Sequence, residues 1–334
     1  MPRSGWWMAG VASLVTVVVV ASLFSGEVAV SPGEAWRSLV GGVAGSEAGS
    51  TAEAVFRAIR LPRILGALLA GAVLGMAGAA LQGLYRTRMA DPFLLGVSSA
   101  AGFGAALAVV VSPVGVSSGV TALLAAAAGV AVALGTRAIA RSAGDPGAFV
   151  LGGVALALTL LAWTVILIFV ADSPRLPTFA YFVFGGLGGL TWSVVFWALP
   201  GALVGMALLL VSGRDLDVLA LGETAATRVG VPVPRVAAVV LVGVGVGVGA
   251  SVALAGVIGF VGLLAPAAMR PLVGPGHRAL LPASAVGGAG MLVAADLIAR
   301  SVAGPVEIPV GIVTAAVGGP LLVAVVVRRT VGLR

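Results

Sequence analysis

The feature that most constrains this chain is a series of long apolar segments that almost no charged residue interrupts. Of its 334 residues, 60% are hydrophobic and 9% are charged, whereas soluble globular proteins have about 25% charged residues. Each apolar segment is about 17 to 23 residues long, the length that an α-helix needs to cross the roughly 30 Å hydrocarbon core of a bilayer. A soluble fold is therefore excluded, and each segment predicts a membrane-spanning helix.

About ten such segments predict an all-α polytopic membrane protein with a single domain over residues 1–334. The predicted spans are Trp7–Ser25, Ile64–Leu84, Phe93–Val114, Gly119–Ile139, Phe149–Ala171, Thr191–Val211, Val236–Leu254, Val257–Val273, Leu280–Ala299 and Val306–Val327. The first span resembles a signal peptide, but Ser22–Ser25 offers no convincing small-residue cleavage site. We therefore interpret it as a retained helix.

The distribution of arginine predicts the orientation of these helices. The chain has no lysine, so all 19 basic residues are arginine. With the N-terminus inside, the cytoplasmic segments hold Arg3, Arg86, Arg88, Arg137, Arg141, Arg214, Arg228, Arg235, Arg270, Arg278, Arg328, Arg329 and Arg334. The outer segments hold Arg37, Arg57, Arg60, Arg63, Arg175 and Arg300. This excess of positive charge inside predicts that both termini are cytoplasmic.

Glycine supplies the expected packing surfaces between the helices. The chain has 50 glycines, about twice the number that the usual share of 7% would give. Residues 240–249 alternate valine and glycine, a period of two that is typical of a strand, but an isolated strand leaves its backbone groups unpaired in lipid. We therefore predict a helix in which Gly243, Gly247 and Gly249 form one packing face.

Two further stretches do not fit simple spans. The outer connection Glu27–Arg63 contains Pro32-Gly33-Glu34-Ala35-Trp36, which begins a predicted interfacial helix. The segment Pro174–Leu190 is apolar but is broken by glycines. Because such backbone is tolerated at membrane depth only against protein or a water-filled cavity, the segment either lines the mouth of a pathway or is an ordinary surface loop.

The sequence lacks the residues that catalysis or metal binding requires. There is no cysteine and one histidine, His277, which leaves no thiolate or imidazole cluster for a metal. A Walker A loop needs a lysine, so the chain cannot be its own ATPase. The run 115–119 matches the G-x-S-x-G pattern, but it lies across the membrane from His277, which we predict to be a cytoplasmic loop residue. We expect no catalytic site, no bound metal and no cofactor held by this chain.

Charged residues also limit the class of function. The arginines stand singly or in pairs between apolar spans, so nucleic-acid binding is not expected. Acidic residues near the spans, Asp172, Asp296 and Glu307, fall at predicted outer ends. An ion-coupled carrier usually keeps acids or histidines along its route. The driving energy is therefore expected to come from a separate partner.

Three groups of residues resemble the FecCD family of ABC importer permeases, and together they cover nearly the whole chain. The first comprises Arg60-Leu61-Pro62-Arg63, Ala77–Gly83 and Ala90–Ser99. The second comprises Leu221-Gly222-Glu223 and Arg228–Val231. The third comprises Gly256–Leu263, His277-Arg278, Leu281-Pro282, Ala295-Asp296 and Ile308–Gly311. The chain departs from the family pattern at Thr87-Arg88-Met89, where the family usually has Asn-Pro-Leu, and at Val257 and Ala267, where it usually has Pro and His.

The resemblance implies a type II ABC importer permease fold in a bacterial cytoplasmic (inner) membrane. It implies a second permease subunit, identical or paralogous, two ATP-binding subunits that use ATP and Mg²⁺, and a periplasmic or lipid-anchored substrate-binding protein. Family members carry ferric siderophores, haem or cobalamin. We rank a ferric siderophore first, haem second and cobalamin third, from how commonly the family serves each. An ion-coupled secondary carrier and a non-transporting membrane scaffold are the alternatives of other classes.

The resemblance also assigns an outer docking site, and the position of the only amide in the second span suggests pathway residues. Arg60, Arg63 and Arg300 match outer-surface arginines that pair with carboxylates on the binding protein, a role that suits the bidentate guanidinium fork. The alternative is that they anchor helix ends at lipid headgroups. Gln82 and Gly83 are the candidate pathway residues, although Gln82 could instead bridge neighbouring helices by hydrogen bonds.

The cytoplasmic segment of about residues 214–232 resembles the coupling region that sits in a cleft of the ATPase. Its candidate coupling residues are Leu221, Gly222, Glu223, Thr224, Ala225, Ala226, Arg228 and Gly230. An apolar face is predicted from Leu219, Leu221, Ala225 and Val229. The alternative is a passive cytoplasmic hairpin.

Overall fold

The structure, a computed structural model, describes residues 3–25, 30–43, 50–111, 117–142, 146–170, 182–302 and 307–331. Within these ranges every regular element is a helix. Seven helices are long and apolar enough to cross a membrane, and three shorter apolar helices accompany them. Each coincides with one of the ten predicted spans, so the prediction of an all-α polytopic membrane protein is confirmed.

Fourteen α-helices are used below to describe the part of the chain that the structure covers. They are α1 (Arg3–Phe24), α2 (Pro32–Val43), α3 (Thr51–Val55), α4 (Leu61–Leu84), α5 (Val97–Val111), α6 (Ser118–Ser142), α7 (Pro146–Val170), α8 (Trp192–Val211), α9 (Gly213–Leu219), α10 (Glu223–Arg228), α11 (Val233–Ala255), α12 (Val261–Val273), α13 (His277–Val302) and α14 (Val310–Val331). A π-helical turn, Phe56–Arg60, joins α3 to α4.

Helices α4 and α11 form the centre of the bundle. In the most apolar 18 residues of each, 78% are buried within the chain, against 6% in α1 and 17% in α7. Helix α4 packs against α11, α12 and α13, and α11 packs against α6 and α8. Helices α1 and α7 therefore lie at the periphery, where large apolar side chains such as Leu14 and Phe169 are exposed to lipid or to another subunit.

Glycines bring α4 and α13 into main-chain contact. A Cβ atom at Gly71 would collide with the main-chain oxygen of Gly288, and one at Gly75 with that of Ser284. Gly288 in turn lies against the main chain of Gly71. The small-xxx-small pair on α4 thus packs within the chain, as small residues do where membrane helices approach closely.

The alternating valine and glycine stretch is helical, as predicted, and lies within α11. Gly243 and Gly247 are four residues apart and both face Gly205 on α8. Gly249 faces α6, where a Cβ atom would collide with Ala126. Gly243 and Gly247 therefore form one face and Gly249 another, instead of the single face predicted, and the two faces let α11 pack closely against two helices.

The second span begins earlier than predicted. We expected it to start at Ile64, whereas helical backbone runs without a break over Thr51–Leu84. Proline disrupts the helical turn before it, so Pro62 alone would be expected to break this helix. The π-helical turn widens the backbone just before Pro62, so the proline fits into the first turn of α4.

Helices α5 and α12 begin about one turn later than predicted, because the chain forms irregular turns first. Before α5, Asp91 Oδ1 accepts hydrogen bonds from the main-chain N–H groups of Phe93 (2.8 Å) and Leu94 (3.3 Å). Burial raises the pKa of the Asp91 carboxyl to about 6 although these donors favour the charged form.

Before α12, Gly256 and Phe260 have φ angles of 66° and 67°, which no α-helix accommodates.

The broken apolar segment before α8 is partly buried where the structure describes it, with Leu187 and Leu190 buried and Phe184 50% exposed. The main-chain N–H of Gly186 donates to the oxygen of Ala255 (2.9 Å), and that of Val257 donates to the oxygen of Phe182 (3.1 Å). Leu187 is 1% exposed. For residues 182–190, the pathway mouth and the ordinary surface loop therefore both stay predictions, although these hydrogen bonds attach the segment to the end of α11 and the turn after it. The rest of the predicted segment lies outside the described residues.

The predicted interfacial helix on the outer connection is confirmed as a helix, α2. Its first turn is closed by a reciprocal capping pair, in which Glu34 Oε2 accepts from the N–H of Ser31 (2.8 Å) and Ser31 Oγ accepts from the N–H of Glu34 (3.3 Å). Trp36 is 69% exposed on this helix. An exposed indole at this position suits the membrane–water interface.

The contact between α4 and α13 can be tested with a single added methyl group. Gly75→Ala places a Cβ atom into the main chain of α13, and we expect a cost of about 1–3 kcal/mol, as for other overpacked cores. Gly135→Ala on α6 is the matched control, because nothing lies within 4 Å of its added Cβ atom. Thermal melting of the two purified variants should show a lower Tm for Gly75→Ala alone, and equal Tm values would contradict the contact.

Candidate functional site

A cluster of charged residues lies at one end of the α4–α13 pair. Arg63 Nη2 is 2.8 Å from Asp296 Oδ1, and Arg63 Nη1 is 2.7 Å from Glu307 Oε1. Arg300 adds a longer ion pair, with Nε 3.4 Å from Asp296 Oδ2. Arg63 is 7% exposed and Asp296 is 1% exposed. The Arg63 guanidinium therefore joins α4, α13 and the segment that leads into α14.

Two of the arginines at this end also bind the C-terminus of α1. Arg300 donates from Nη1 to the main-chain oxygen of Ser25 (3.0 Å) and from Nη2 to Ser22 Oγ (2.6 Å). Arg60 donates from Nη1 to the main-chain oxygen of Leu23 (2.6 Å). The last carbonyl groups of a helix have no partner inside the helix, so these arginines satisfy groups that would otherwise lack one.

The structure brings together the three predicted docking arginines but turns them inward. Arg60 and Arg63 are buried and Arg300 is partly buried, whereas the docking prediction required exposed guanidinium groups. The predicted exposure of these arginines is wrong, because carboxylates and main-chain oxygens of the chain already accept hydrogen bonds from the guanidinium groups. The docking role itself stays a prediction. Sequence reasoning missed the internal pairing, although the i, i+4 spacing of Asp296 and Arg300 was a signal for part of it.

At the opposite end of the bundle, α9 and α10 form a hairpin within the predicted coupling segment. The turn between them contains Gly222, whose φ of 114° favours glycine. Leu216, Leu219 and Ala226 have no exposed surface and attach the hairpin to the bundle. The structure therefore places two short, firmly packed helices where sequence reasoning predicted a coupling region.

The outward surface of the hairpin differs from the predicted apolar face. Leu221 and Val229 are 78% and 70% exposed, while Leu219 is buried on the opposite side. The four residues therefore do not form one face. Of the candidate coupling residues, Ala226 points into the bundle, whereas Glu223, Thr224, Arg228 and Gly230 are exposed.

Asp217 of the hairpin binds the first residue of α13. Its Oδ1 accepts from the main-chain N–H of His277 and lies 2.9 Å from His277 Nδ1. His277 is 6% exposed, and its Nε2 lies against Gly83 of α4, where a Cβ atom would collide with it. The prediction that His277 is a loop residue is wrong, because Asp217 supplies the acceptor that lets α13 begin there. Gly83 is required for this packing.

Gln82 both bridges two helices and lines a cavity, so the structure combines the two interpretations of this residue. Its Oε1 accepts from Arg270 Nη2 of α12 at 2.9 Å. The cavity has a volume of about 350 Å³ and is bounded by the turn after α4, by α12 and by α14. Arg88 and Met89, within the departure from the family pattern, also line it. Whether cargo passes here stays a prediction.

A bundle of apolar helices with irregular segments between some of them and a hairpin at one end is the arrangement of a polytopic membrane protein. The model of the FecCD transport family matches residues 14–328. The chain belongs to the FecCD transport family, whose members are permease subunits of ABC importers. The family predicted from the sequence is confirmed.

Relatives and a solved structure agree with this assignment. The chain is 37% identical over 304 residues to the uncharacterized ABC transporter permease protein YvrB of Bacillus subtilis, covering 90% of this chain and 86% of that protein. It is 41% identical over 284 residues to the cobalamin import system permease protein BtuC of Halobacterium salinarum, covering 84% and 75%. A structure described as an inward-facing conformation of a metal-chelate type ABC transporter matches with a TM-score of 0.78 and 28% identity, covering 97% of this chain and 99% of that one.

The buried charge cluster gives a stability prediction. Arg63→Ala leaves the Asp296 carboxylate buried with a weaker partner, and we expect a loss of about 3–5 kcal/mol, as for other broken buried ion pairs. Arg235→Ala is the control, because Arg235 is exposed and takes part in no salt bridge among the described residues, so its removal should change stability little. The unfolding midpoint in detergent should fall for Arg63→Ala and recover in part when Asp296→Asn is added. Equal midpoints for the two arginine variants would contradict the cluster.

Proposed function

We propose that this chain is the permease through which an ATP-driven importer moves a metal chelate across the bacterial cytoplasmic membrane. A substrate-binding protein delivers the chelate, and a second permease, identical or paralogous, completes the pathway. Two separate ATP-binding subunits hydrolyse ATP with Mg²⁺. The permease itself supplies the pathway and the surfaces that respond to these partners.

The observation that carries this proposal is the hairpin of α9 and α10. Leu221 and Val229 present apolar surface at a predicted cytoplasmic end, where no lipid covers it, while the base of the hairpin is buried and bonded to His277. Exposed apolar residues on a rigid element are typical of a protein contact site. A partner that moves the hairpin would move α13 with it, because the Asp217–His277 contact joins them.

Charge placement supports a partner-driven importer over an ion-coupled carrier. Among the described acids at the predicted outer side, Asp296 and Glu307 pair with Arg63. Glu53 pairs with Arg37, and Glu34 caps α2 through Ser31. Asp91 is held by main-chain N–H groups in a turn. These acids are held by partners within the chain, an arrangement that favours a partner-driven importer over ion coupling.

The cargo has two leading candidates. A ferric siderophore is the first choice from the sequence, and the similarity to a metal-chelate type transporter supports that class. Cobalamin becomes the second candidate, ahead of haem, because relatives at 34–41% identity are named as cobalamin or vitamin B12 import permeases. Both cargoes are bulky metal complexes, so one pathway of small and apolar side chains suits either.

Docking of the binding protein at the charge cluster remains part of the proposal. The Glu307 side chain is 50% exposed, whereas its partner Arg63 is 8% exposed. A carboxylate of the binding protein would reach Arg63 by displacing Glu307, the accessible member of the pair. Docking would thereby loosen the segment before α14, which Glu307 otherwise ties to α4.

The cargo is tested by uptake into cells that lack this chain and are complemented with it. Radioiron supplied as a ferric siderophore and radiolabelled cobalamin are measured side by side. We expect the complemented cells to restore uptake of one of them, with loss of uptake on ATP depletion. Uptake that depends on the proton gradient alone would overturn the ATP-driven proposal, and restoration of neither cargo would leave haem as the next chelate to measure.

The hairpin is tested by making its outer surface polar. Leu221→Asp with Val229→Asp should abolish cargo uptake and binding of the ATP-binding subunits, because two carboxylates replace apolar contact surface. The Tm of the isolated permease should not change, since both side chains are already exposed. Arg235→Asp is the control, an exposed site at the start of α11 outside the hairpin, and should retain uptake. Unchanged uptake in the double variant would contradict the coupling role.

A further inference from the structure

The cavity beside Gln82 has a polar side that consists of hydrogen-bond donors. Three polar residues line it, Gln82, Arg88 and Arg270, together with apolar side chains of α12 and α14. A guanidinium group only donates hydrogen bonds. Two of the three polar residues therefore have nothing but N–H groups to offer to a molecule in the cavity.

The hydrogen bond between Gln82 and Arg270 makes the third residue a donor as well. Arg270 Nη2 can only donate, so the atom of Gln82 that faces it at 2.9 Å is the amide oxygen. That bond occupies the acceptor of Gln82 and leaves the amide N–H₂ group for other contacts. The three polar side chains of the cavity thus all present donors.

The charge of the cavity is also unbalanced within the part of the chain that the structure describes. Neither Arg88 nor Arg270 has a salt bridge among the described residues, whereas Arg63 and Arg300 at the other end are both paired with Asp296. Arg88 is exposed and Arg270 is partly buried, so the repulsion between the two arginines is screened by water only in part. An anion between them would remove that repulsion and accept bonds from both.

We propose that this cavity binds an anionic group, a carboxylate or a phosphate, carried by the transported chelate as it leaves the pathway. The assignment to cargo rests on the proposed importer function, whereas the anion site itself rests on the three polar side chains, which all present donors. The volume of about 350 Å³ accepts such a group with adjoining atoms but not a whole chelate. The site is predicted to lie at the cytoplasmic end, on the same end as the hairpin.

Anion binding is tested on the purified full chain in nanodiscs of phosphatidylcholine, with inorganic phosphate as the probe in isothermal titration calorimetry. We expect Arg88→Gln and Arg270→Gln each to weaken phosphate binding about tenfold or more, the effect of losing one charge-assisted hydrogen bond. Arg270→Lys should bind more tightly than Arg270→Gln, which separates lost charge from altered folding. Arg86→Gln, two residues from Arg88, exposed and outside the cavity, should bind phosphate as the unmodified chain does.

Absence of phosphate binding to the unmodified chain would overturn the site. Equal weakening in Arg86→Gln would overturn it too, since that result indicates general surface charge. This titration requires no transport, so a failed importer assignment would leave its outcome unchanged. The two proposals can therefore fail separately.

The source of the anion is distinguished by lipid composition and by cargo charge. Uptake of a carboxylate-bearing ferric chelate and of a neutral ferric trihydroxamate is compared in Arg88→Gln cells, and we expect about tenfold lower uptake of the anionic chelate alone. Two results together would instead show that the site holds a lipid headgroup. Phosphatidylglycerol in the nanodiscs would abolish phosphate binding, and Arg88→Gln would leave the uptake of both chelates unchanged. That outcome would overturn the assignment to cargo.

Discussion

The main-chain contact between α4 and α13 is the constraint on which the arrangement of both ends depends. Gly71, Gly75 and Gly288 set the separation of the two helices, because any Cβ atom there would meet backbone. At one end of this pair, Arg63 then reaches Asp296, and at the other end Gly83 lies against His277. A small change in helix separation would disturb both contacts together. In lipid, which gives helices no hydrophobic reason to associate, such close packing is a main source of cohesion.

The outer charge cluster is stable only as a complete set. Desolvating a carboxylate or a guanidinium group costs several kcal/mol, and the cost is recovered only when geometry and remaining hydrogen bonds are satisfied. Arg63 meets this condition by contacting Asp296 and Glu307 together. Arg300 meets it in part, because it donates to the end of α1 but its Nε atom, 3.4 Å from Asp296, makes no hydrogen bond. The cluster therefore holds α1, α4, α13 and the segment before α14 as one unit. In the proposed importer, a docking protein would act on that unit rather than on one helix.

Sequence reasoning predicted the number and positions of the apolar helices because the length and polarity of a span are set by the bilayer. It failed where the chain breaks or extends a helix through local geometry, as in the π-helical turn before Pro62 and the positive φ of Phe260. It also failed to predict the partners of residues far apart in the chain. The contact of Asp217 with His277 spans 60 residues, and no local pattern encodes it. Family resemblance assigned roles to Arg63 and Gln82, but their neighbours were visible only in the fold.

The two ends of the bundle differ in how their arginines are neutralised, and this difference bears on where an anionic group binds. An excess of arginine at the cytoplasmic side accounts for orientation during insertion, but not for two arginines that share a cavity. Within the described residues, Arg63 has carboxylate partners at its end, whereas Arg88 and Arg270 have none. An anionic chelate would thus meet an arginine already paired with carboxylates at the entrance and two arginines without carboxylate partners at the exit. The asymmetry would let the anionic group bind at the exit end, whereas ATP hydrolysis by the partners would set the direction. Hairpin motion, transmitted through His277 next to Gly83 and Gln82, would act on the wall of the same cavity and permit release.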